Sequence, residues 1–344
     1  MNFKIKFAEK EDFDLLIAFI DKQWEENHIF VKSKKLFDWQ YFNKNSNNYN
    51  FLIGICNKTN QILGILGFIP FNHYDNQIDD LCWMSLWKVH ERAKGLGLGK
   101  SLLLELQKKF KGQLYTIGAN ERTIPIYKSM GLTVGKLNHF FLINPNLNKF
   151  KLIKFSSIPS HTFKVDEQKK LDKISKSDII NSFKSFKPSE QYPFKSANYI
   201  INRYIKHPFY DYFFYKISKD LNILGLLIVR KCSYKESKAL RIIDFIGPSN
   251  ILRGLYNEWC KILNNNNAEY LDFYNYGLKY EDLMNSGFTL SKKKEIIIPN
   301  HFEPFEKKNV DINFMVPSLD NKNFRIVKGD SDQDRPNILR EKNE

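Results

Sequence analysis

Val89-His90-Glu91-Arg92-Ala93-Lys94-Gly95-Leu96-Gly97-Leu98-Gly99-Lys100-Ser101-Leu102-Leu103 is the stretch on which the reading of this chain turns. Three glycines at alternating positions separate a strand pattern ending near Val89 from an amphipathic helix over residues 99–110, with Leu102, Leu103, Leu106 and Phe110 on one side. Glycine lets backbone approach an anion closely, and the unsatisfied N–H groups of a first helical turn point at it with the positive end of the macrodipole behind them. The pattern therefore suits a phosphate. A P-loop requires Gly, four residues, then Gly-Lys-Ser/Thr; Gly99-Lys100-Ser101 matches the end, but the first glycine falls on Lys94. A dinucleotide fingerprint requires Gly-x-Gly-x-x-Gly, and Gly95-x-Gly97 is followed by Lys100. Each fails by one residue.

Outward from the glycines, residues 3–7 alternate as a strand, and residues 12–26 carry Phe13, Leu16, Ile17 and Ile20 at helical spacing. Residues 51–57 and 61–70 form a hairpin about Lys58-Thr59-Asn60, and a third strand over 80–89 leads into the loop. Beyond the helix come a strand at 114–118, a helix at 123–130 stopped by Gly131, and a closing strand at 139–143 before Asn144-Pro145-Asn146. The second part replays this order: a hairpin from 212–217 and 223–230, a strand at 240–246, a helix at 252–263, a strand at 270–274 and a short helix at 280–285. Ile62-Leu63-Gly64 matches Ile223-Leu224-Gly225, as expected of paired domains. The expected organisation is a domain over 1–146 that holds the loop, a degenerate copy over 147–310, and a C-terminal tail over 311–344 packing on the body. In the copy, Gly247-Pro248-Ser249-Asn250 stands where the first domain has its glycines. A lysine-dense linker begins near Lys149, and residues 324–327 are a strand before the polar turn 330–336.

A chain of 344 residues suits about two domains. Its 42% hydrophobic and 26% charged residues exclude a disordered, collagen-like or coiled-coil protein. Lys and Arg outnumber Asp and Glu by 53 to 38, a net charge of +15 that favours anionic partners without choosing among nucleotides, nucleic acid and acidic membrane surfaces. The N-terminus runs from Lys4-Ile5-Lys6 into Glu9-Lys10-Glu11-Asp12 and lacks the apolar core of a signal peptide. No run approaches a membrane span. Cys56, Cys82, Cys232 and Cys260 have no spacing that suggests zinc or a disulfide framework. A cytoplasmic protein without membrane contact and without a metal is expected.

Two motifs, in order, resemble those of the Gcn5-related N-acetyltransferase (GNAT) superfamily. Lys94 through Leu103 is similar to the pyrophosphate-binding motif Gln/Arg-x-x-Gly-x-Gly/Ala with its following helix, with Lys94 keeping the charge but losing a planar donor. Asn120-Glu121-Arg122-Thr123-Ile124-Pro125-Ile126-Tyr127-Lys128-Ser129-Met130-Gly131-Leu132 resembles the Asn-x-x-Ala-x-x-Leu/Phe-Tyr-x-x-x-Gly-Phe segment, with Thr123, Ile126 and Leu132 as departures. Thr123 is expected to cap this helix, Pro125 to fall within its first turn, and Gly131 to supply the left-handed stop. The resemblance implies an α/β (α+β) fold of tandem GNAT-like domains, each a mixed, mostly antiparallel sheet flanked by helices. It also implies acyl-CoA as cofactor. The pyrophosphate would lie on Lys94, Gly95, Leu96, Gly97, Leu98, Gly99 and Lys100, the pantetheine on Trp87, Lys88 and Val89, and the cofactor arm on Asn120. Tyr127 would protonate the departing thiolate. His73, Asp79 and Asp80 are the candidates for a base, and Cys82 is read as core.

The paired domains, Arg203-Tyr204, His207-Pro208, Tyr210 and the 330–335 tail further resemble two-domain N-acyltransferases acting on nucleotide-linked amino sugars of the dTDP-3-amino-3,6-dideoxyhexose type, for surface polysaccharides. That resemblance implies a cleft between domains, with His28, Arg203, Tyr204, His207, Tyr210 and Arg335 on the acceptor side. The donor is acetyl-CoA or a larger chain such as 3-hydroxybutyryl-CoA, and the protein a monomer or homodimer. Nucleic acid is not the expected partner, although residues 199–215 interleave aromatics and cations. An acyltransferase for an aminoglycoside, peptide or protein amine, and a non-enzymatic acyl-CoA-binding protein, stand as alternatives.

Overall fold

A computed structural model describes residues 2–76, 81–155, 164–185, 191–291, 295–321 and 323–339. In the first half, β1 (Phe3–Glu9), α1 (Phe13–Phe19), α2 (Lys34–Tyr41), β2 (Asn48–Cys56), β3 (Ile62–Pro70) and β4 (Cys82–Val89) lead to α3 (Leu98–Lys109), β5 (Leu114–Ile117), α4 (Ile124–Ser129), β6 (Thr133–Lys136) and β7 (Asn138–Ile143). The second half runs through β8 (Lys169–Ile174), β9 (Phe213–Lys219), β10 (Asn222–Tyr234), β11 (Ser237–Ile246), α5 (Tyr256–Asn265), β12 (Tyr270–Tyr276), α6 (Tyr280–Met284) and β13 (Thr289–Leu290). Two strands of the final segment follow, β14 (Asn313–Val316) and β15 (Ile326–Val327).

β2 and β3 are nearly unbroken apolar runs and are buried along almost their whole length, because helices cover both faces of the central strands. α1 and α2 pack on one face with a dense aromatic group around Phe30, Phe37, Tyr41, Tyr49 and Phe51. α3 packs on the other through Leu98, Leu102, Leu103 and Leu106. Gly54 permits that approach: a Cβ there would lie 2.5 Å from Leu98. The expected helix over 12–26 is shorter, since α1 gives way to a π-helical turn at Ile20–Trp24. The expected helix over 252–263 likewise begins later, at Tyr256, after a 3-10 turn at Ser249–Leu252.

The first sheet has the order β1-β2-β3-β4-β5-β14-β6, and the second β8-β9-β10-β11-β12-β7-β13. The two are mixed and mostly antiparallel, with one parallel neighbour pair each, β4–β5 and β11–β12. Their sixth strands are exchanged. The strand expected to close the first half, β7, instead pairs with β12 from Tyr270↔Ile143 to Asn275↔Asn138. In return β14, from the far end of the chain, enters between β5 and β6. Each sheet is thus completed by the other half.

The parallel pairs come apart at equivalent places. β4 and β5 are in register only at Cys82↔Leu114, Trp83↔Tyr115 and Met84↔Thr116, after which β4 continues to Val89 without β5 beside it. β11 and β12 separate after Ile242↔Phe273. The second opening is filled by the tail. β15 pairs with Asn275 and Tyr276 of β12, Gly329 donates its N–H to the Ile243 carbonyl of β11 at 2.8 Å, and Arg325 reaches the Gly247 carbonyl.

Candidate functional site

The first opening has the glycine loop beside it. Gly97 caps α3 with φ +81°, and Gly95 has φ +75°. At neither position would a Cβ meet any atom within 4 Å, so the loop presents bare backbone to open space. The first α3 amide with a helical partner is that of Ser101, bonded to the Gly97 carbonyl at 3.0 Å, so those of Leu98, Gly99 and Lys100 face outward at the positive helix end. The Leu98 side chain itself is buried, leaving only its backbone for a ligand. Gly99 is held close to β4, where a Cβ would sit 3.2 Å from Trp87 and 3.3 Å from Val89. Leu96 and Lys100 are exposed, and Lys94 pairs with Glu91 at 2.6 Å on the surface.

Trp87, Lys88 and Val89 lie at the end of β4 that pairs with β3 alone, its other edge open, and are partly exposed. The Trp87 indole N–H is buried without a partner among the described residues. Its ring faces Tyr127 at 5.7 Å. Tyr127, on α4, is 4% exposed. Burial pushes its phenol well above the ordinary value, while a hydrogen bond with the Thr116 side chain acts the other way. Thr116 is the last residue of β5 in register with β4, which puts the phenol at the vertex of the opening. Asn120 is exposed, and its Oδ1 accepts from the Arg122 N–H at 3.0 Å. The expected cap by Thr123 gives way to this one: a 3-10 turn at Glu121–Thr123 precedes α4, and the Thr123 hydroxyl donates back to the Asn120 carbonyl at 2.7 Å. Pro125 does fall at the start of α4, and Gly131 has φ +81°.

Of the base candidates, Asp79 and Asp80 lie outside the described residues. His73 has both ring nitrogens engaged, Nε2 with the Trp39 carbonyl at 3.0 Å and Nδ1 with Asn50 at 3.3 Å. No ring nitrogen is left to face an acceptor.

The acceptor-side candidates divide into an interior group and a wall. Arg203 is buried, donates to the Gly329 carbonyl at 3.0 Å and lies against the Trp39, Tyr74 and Tyr204 rings. Tyr204 donates to Asp244 at 2.6 Å. His207 accepts from the Tyr210 N–H at 2.8 Å and packs on Trp39. Arg203 and His207 join the halves. His28 accepts from the Phe30 N–H, its Nε2 is buried without a partner among the described residues, and burial together with nearby Arg335 lowers its pKa to about 3. Tyr210 and Arg335 instead line a cavity of about 140 Å³ on the second half.

Sequence reasoning missed two participants. Ser85, the first β4 residue past the register, accepts from the Tyr41 hydroxyl at 3.0 Å. Gln333 donates from Nε2 to the Ile117 carbonyl at the end of β5, at 3.1 Å, so the tail touches the mouth of the opening. Neither contact has a local sequence signal. Among the described residues there is no metal-ligating cluster, and no helix is long and apolar enough to cross a membrane.

Residues 14–132 match the model of the acetyltransferase (GNAT) family. No curated protein matches the chain in sequence. Among solved structures, a GCN5-related N-acetyltransferase from Anabaena variabilis is similar over 92% of this chain and 74% of its own, with a TM-score of 0.57 at 11% identity. A GCN5-related N-acetyltransferase from Kribbella flavida matches over 91% of this chain and 70% of its own, with a TM-score of 0.56 at 11% identity. The architecture is a tandem GNAT fold.

Proposed function

We propose that this chain, a GNAT fold in which one of two openings is kept clear, is an N-acyltransferase that moves an acyl group from acyl-coenzyme A to the amine of a nucleotide-linked amino sugar. The observation that carries the reading is the divergence of β4 from β5 beyond Met84 and Thr116, with the bare backbone of Gly95 and Gly97 beside it. The equivalent opening in the second half is occupied by the chain itself. That favours a single cofactor site.

Residues 94–100 suit the diphosphate, through outward amides and the charges of Lys94 and Lys100. Trp87, Lys88 and Val89 offer the unpaired β4 edge to the pantetheine, and Asn120 lies across from it on the β5 side. Bound acyl-coenzyme A supplies an activated thioester, so no Ser or Cys nucleophile is needed; buried Cys82 remains a core residue. Tyr127 is assigned the proton that the departing thiolate takes up. Its raised pKa keeps that proton in place at neutral pH. The amine of a sugar ring is less basic than that of lysine and attacks without a dedicated base in this reading.

Thiol release from acetyl-CoA and 3-hydroxybutyryl-CoA, measured against dTDP- and UDP-linked amino sugars, aminoglycosides and peptides, tests the assignment. Turnover is expected with a nucleotide-linked amine. Turnover with peptides alone overturns the acceptor, and tight CoA binding without turnover on any amine points to a binding protein. Gly97→Val puts a β-branched residue at φ +81°, a strain of roughly 1–2 kcal/mol, and places its methyls in the open space of the loop. Calorimetry should show CoA binding lost in a protein that still folds.

A further inference from the structure

The cavity on the second half contains a buried lysine with no counter-ion among the described residues. Lys328 lines it, is 5% exposed, and makes no ion pair or hydrogen bond among the described residues. Among the described residues, four carboxylates face this cavity or Lys328: Glu303 accepts from the Tyr210 hydroxyl at 3.3 Å, Asp332 pairs with Arg335 at 3.7 Å and accepts from Gln333 at 3.2 Å, and Asp334 and Asp272 hold other cations. Asp334 takes the Arg230 guanidinium at 2.7 Å and the Tyr212 hydroxyl at 2.9 Å, while Asp272 takes Arg241 at 2.7 Å and His139 at 2.9 Å. Arg241 gives two further donors to the carbonyls of Pro299 and Asn300, so it adds positive field beside Lys328 and keeps at most one N–H for a bond. Arg230 lies over the Tyr210 ring at 4.1 Å. An ammonium buried beside two guanidinium groups is strongly disfavoured unless an anion joins it or it gives up its proton.

Resting on the acyltransferase reading, we propose that this cavity receives the anionic group of the amine acceptor, a phosphate or carboxylate, with Lys328 as its counter-ion. Gln333 supplies the geometry. It lines the cavity, and its side chain also donates to Ile117 at the mouth of the open cleft, so one residue separates the two. An acceptor anchored here by its oxyanion would extend its amine past Gln333 toward Tyr127. Arg335, which lies over Phe30 and beside His28, stands on the same path. Burial and the repulsion of Arg241 bring Lys328 to about 7, with Arg230 adding to that repulsion and Asp334 and Asp272 opposing it. His301, lowered to about 4 by burial and by Lys328, stays neutral where Lys328 titrates, and so does His139, lowered by burial. Anion binding should therefore be complete near pH 6 and fade above pH 8.

The test is calorimetry of the full chain, with the glycine loop saturated by coenzyme A, titrated with inorganic phosphate, dTDP and acetate at pH 6 and pH 9. The wild type and Lys328→Arg should bind at pH 6, and Lys328→Met should bind at least tenfold more weakly, with coenzyme A affinity unchanged. Preference for dTDP over acetate identifies a nucleotide phosphate as the source, and the reverse identifies a carboxylate. Either source supports the pocket. Equal anion affinity in the wild type and Lys328→Met, or no binding of any of the three, overturns it. Anion binding that depends on Lys328 in a protein that never binds coenzyme A would instead remove the acyltransferase reading and leave the pocket standing. For an active enzyme, Lys328→Met should raise KM for a nucleotide-linked amine with kcat little changed, and leave the free amino sugar unaffected.

Discussion

Tyr127 and Lys328 are buried polar groups under opposite demands. Tyr127 keeps its proton because burial disfavours the phenolate, which suits a group that donates it once per turnover. Tyr127→Phe should lower kcat by roughly 10²–10⁴-fold and change coenzyme A affinity little, as steady-state kinetics and calorimetry would show. Unchanged turnover would remove it from the mechanism. Lys328 resists its proton, with a folded pKa of about 7 against an ordinary value of 10.5. Between those values the unfolded chain binds more protons than the folded one, so stability rises with pH across that window, and the full penalty applies below pH 7. In the absence of anions, Lys328→Met should raise Tm at pH 6 and lose that advantage toward pH 10. A variant less stable than wild type at pH 6 would show that Lys328 already has a counter-ion. At this scale the sequence singled out the glycines, Asn120 and Tyr127 as candidates, because each belongs to a local motif. Lys328 has no such signature, since its isolation results from Arg241, Asp272, Arg230 and Asp334 converging from four separate segments.

Among the elements, the strands of each hairpin and α3 were legible because their apolar periodicity is local. β14 was not. Four residues without clear alternation carry little signal, yet Phe314 and Met315 are buried between β5 and β6, and Phe314 packs on Tyr276 at 4.8 Å. Phe314→Ala should cost about 3–5 kcal/mol in urea unfolding, the range for a large buried aromatic. A loss below 1 kcal/mol would mean that β14 is a loosely held addition to the first sheet. The end of β4 shows a different limit. Its sequence reads as one continuous strand, and nothing in it marks Met84 as the point where its neighbour leaves.

For the whole molecule, exchange of sixth strands makes the halves interdependent. A fragment of residues 1–146 lacks β14, which leaves β5 and β6 without their common partner, and it exposes β7, which belongs in the second sheet. Expressed alone, it should be unfolded or aggregated by circular dichroism and size-exclusion chromatography, and co-expression with residues 147–344 should recover soluble material. A monomeric, cooperatively unfolding 1–146 fragment would contradict this. The tail serves both halves: β14 bridges β5 and β6 in the first sheet, β15 fills the second opening, and Asp330 meets buried Lys195 at 2.8 Å.

By itself the sequence determined the succession of strands and helices, the duplicated order and the single glycine loop, because periodicity, turn residues and left-handed glycines act over a few neighbouring positions. Only the tertiary structure decided which opening stays clear, which strand completes which sheet and where a lysine is buried with no ion pair among the described residues. Those outcomes depend on segments more than a hundred residues apart competing for the same backbone edges and charges, and no local pattern records the result.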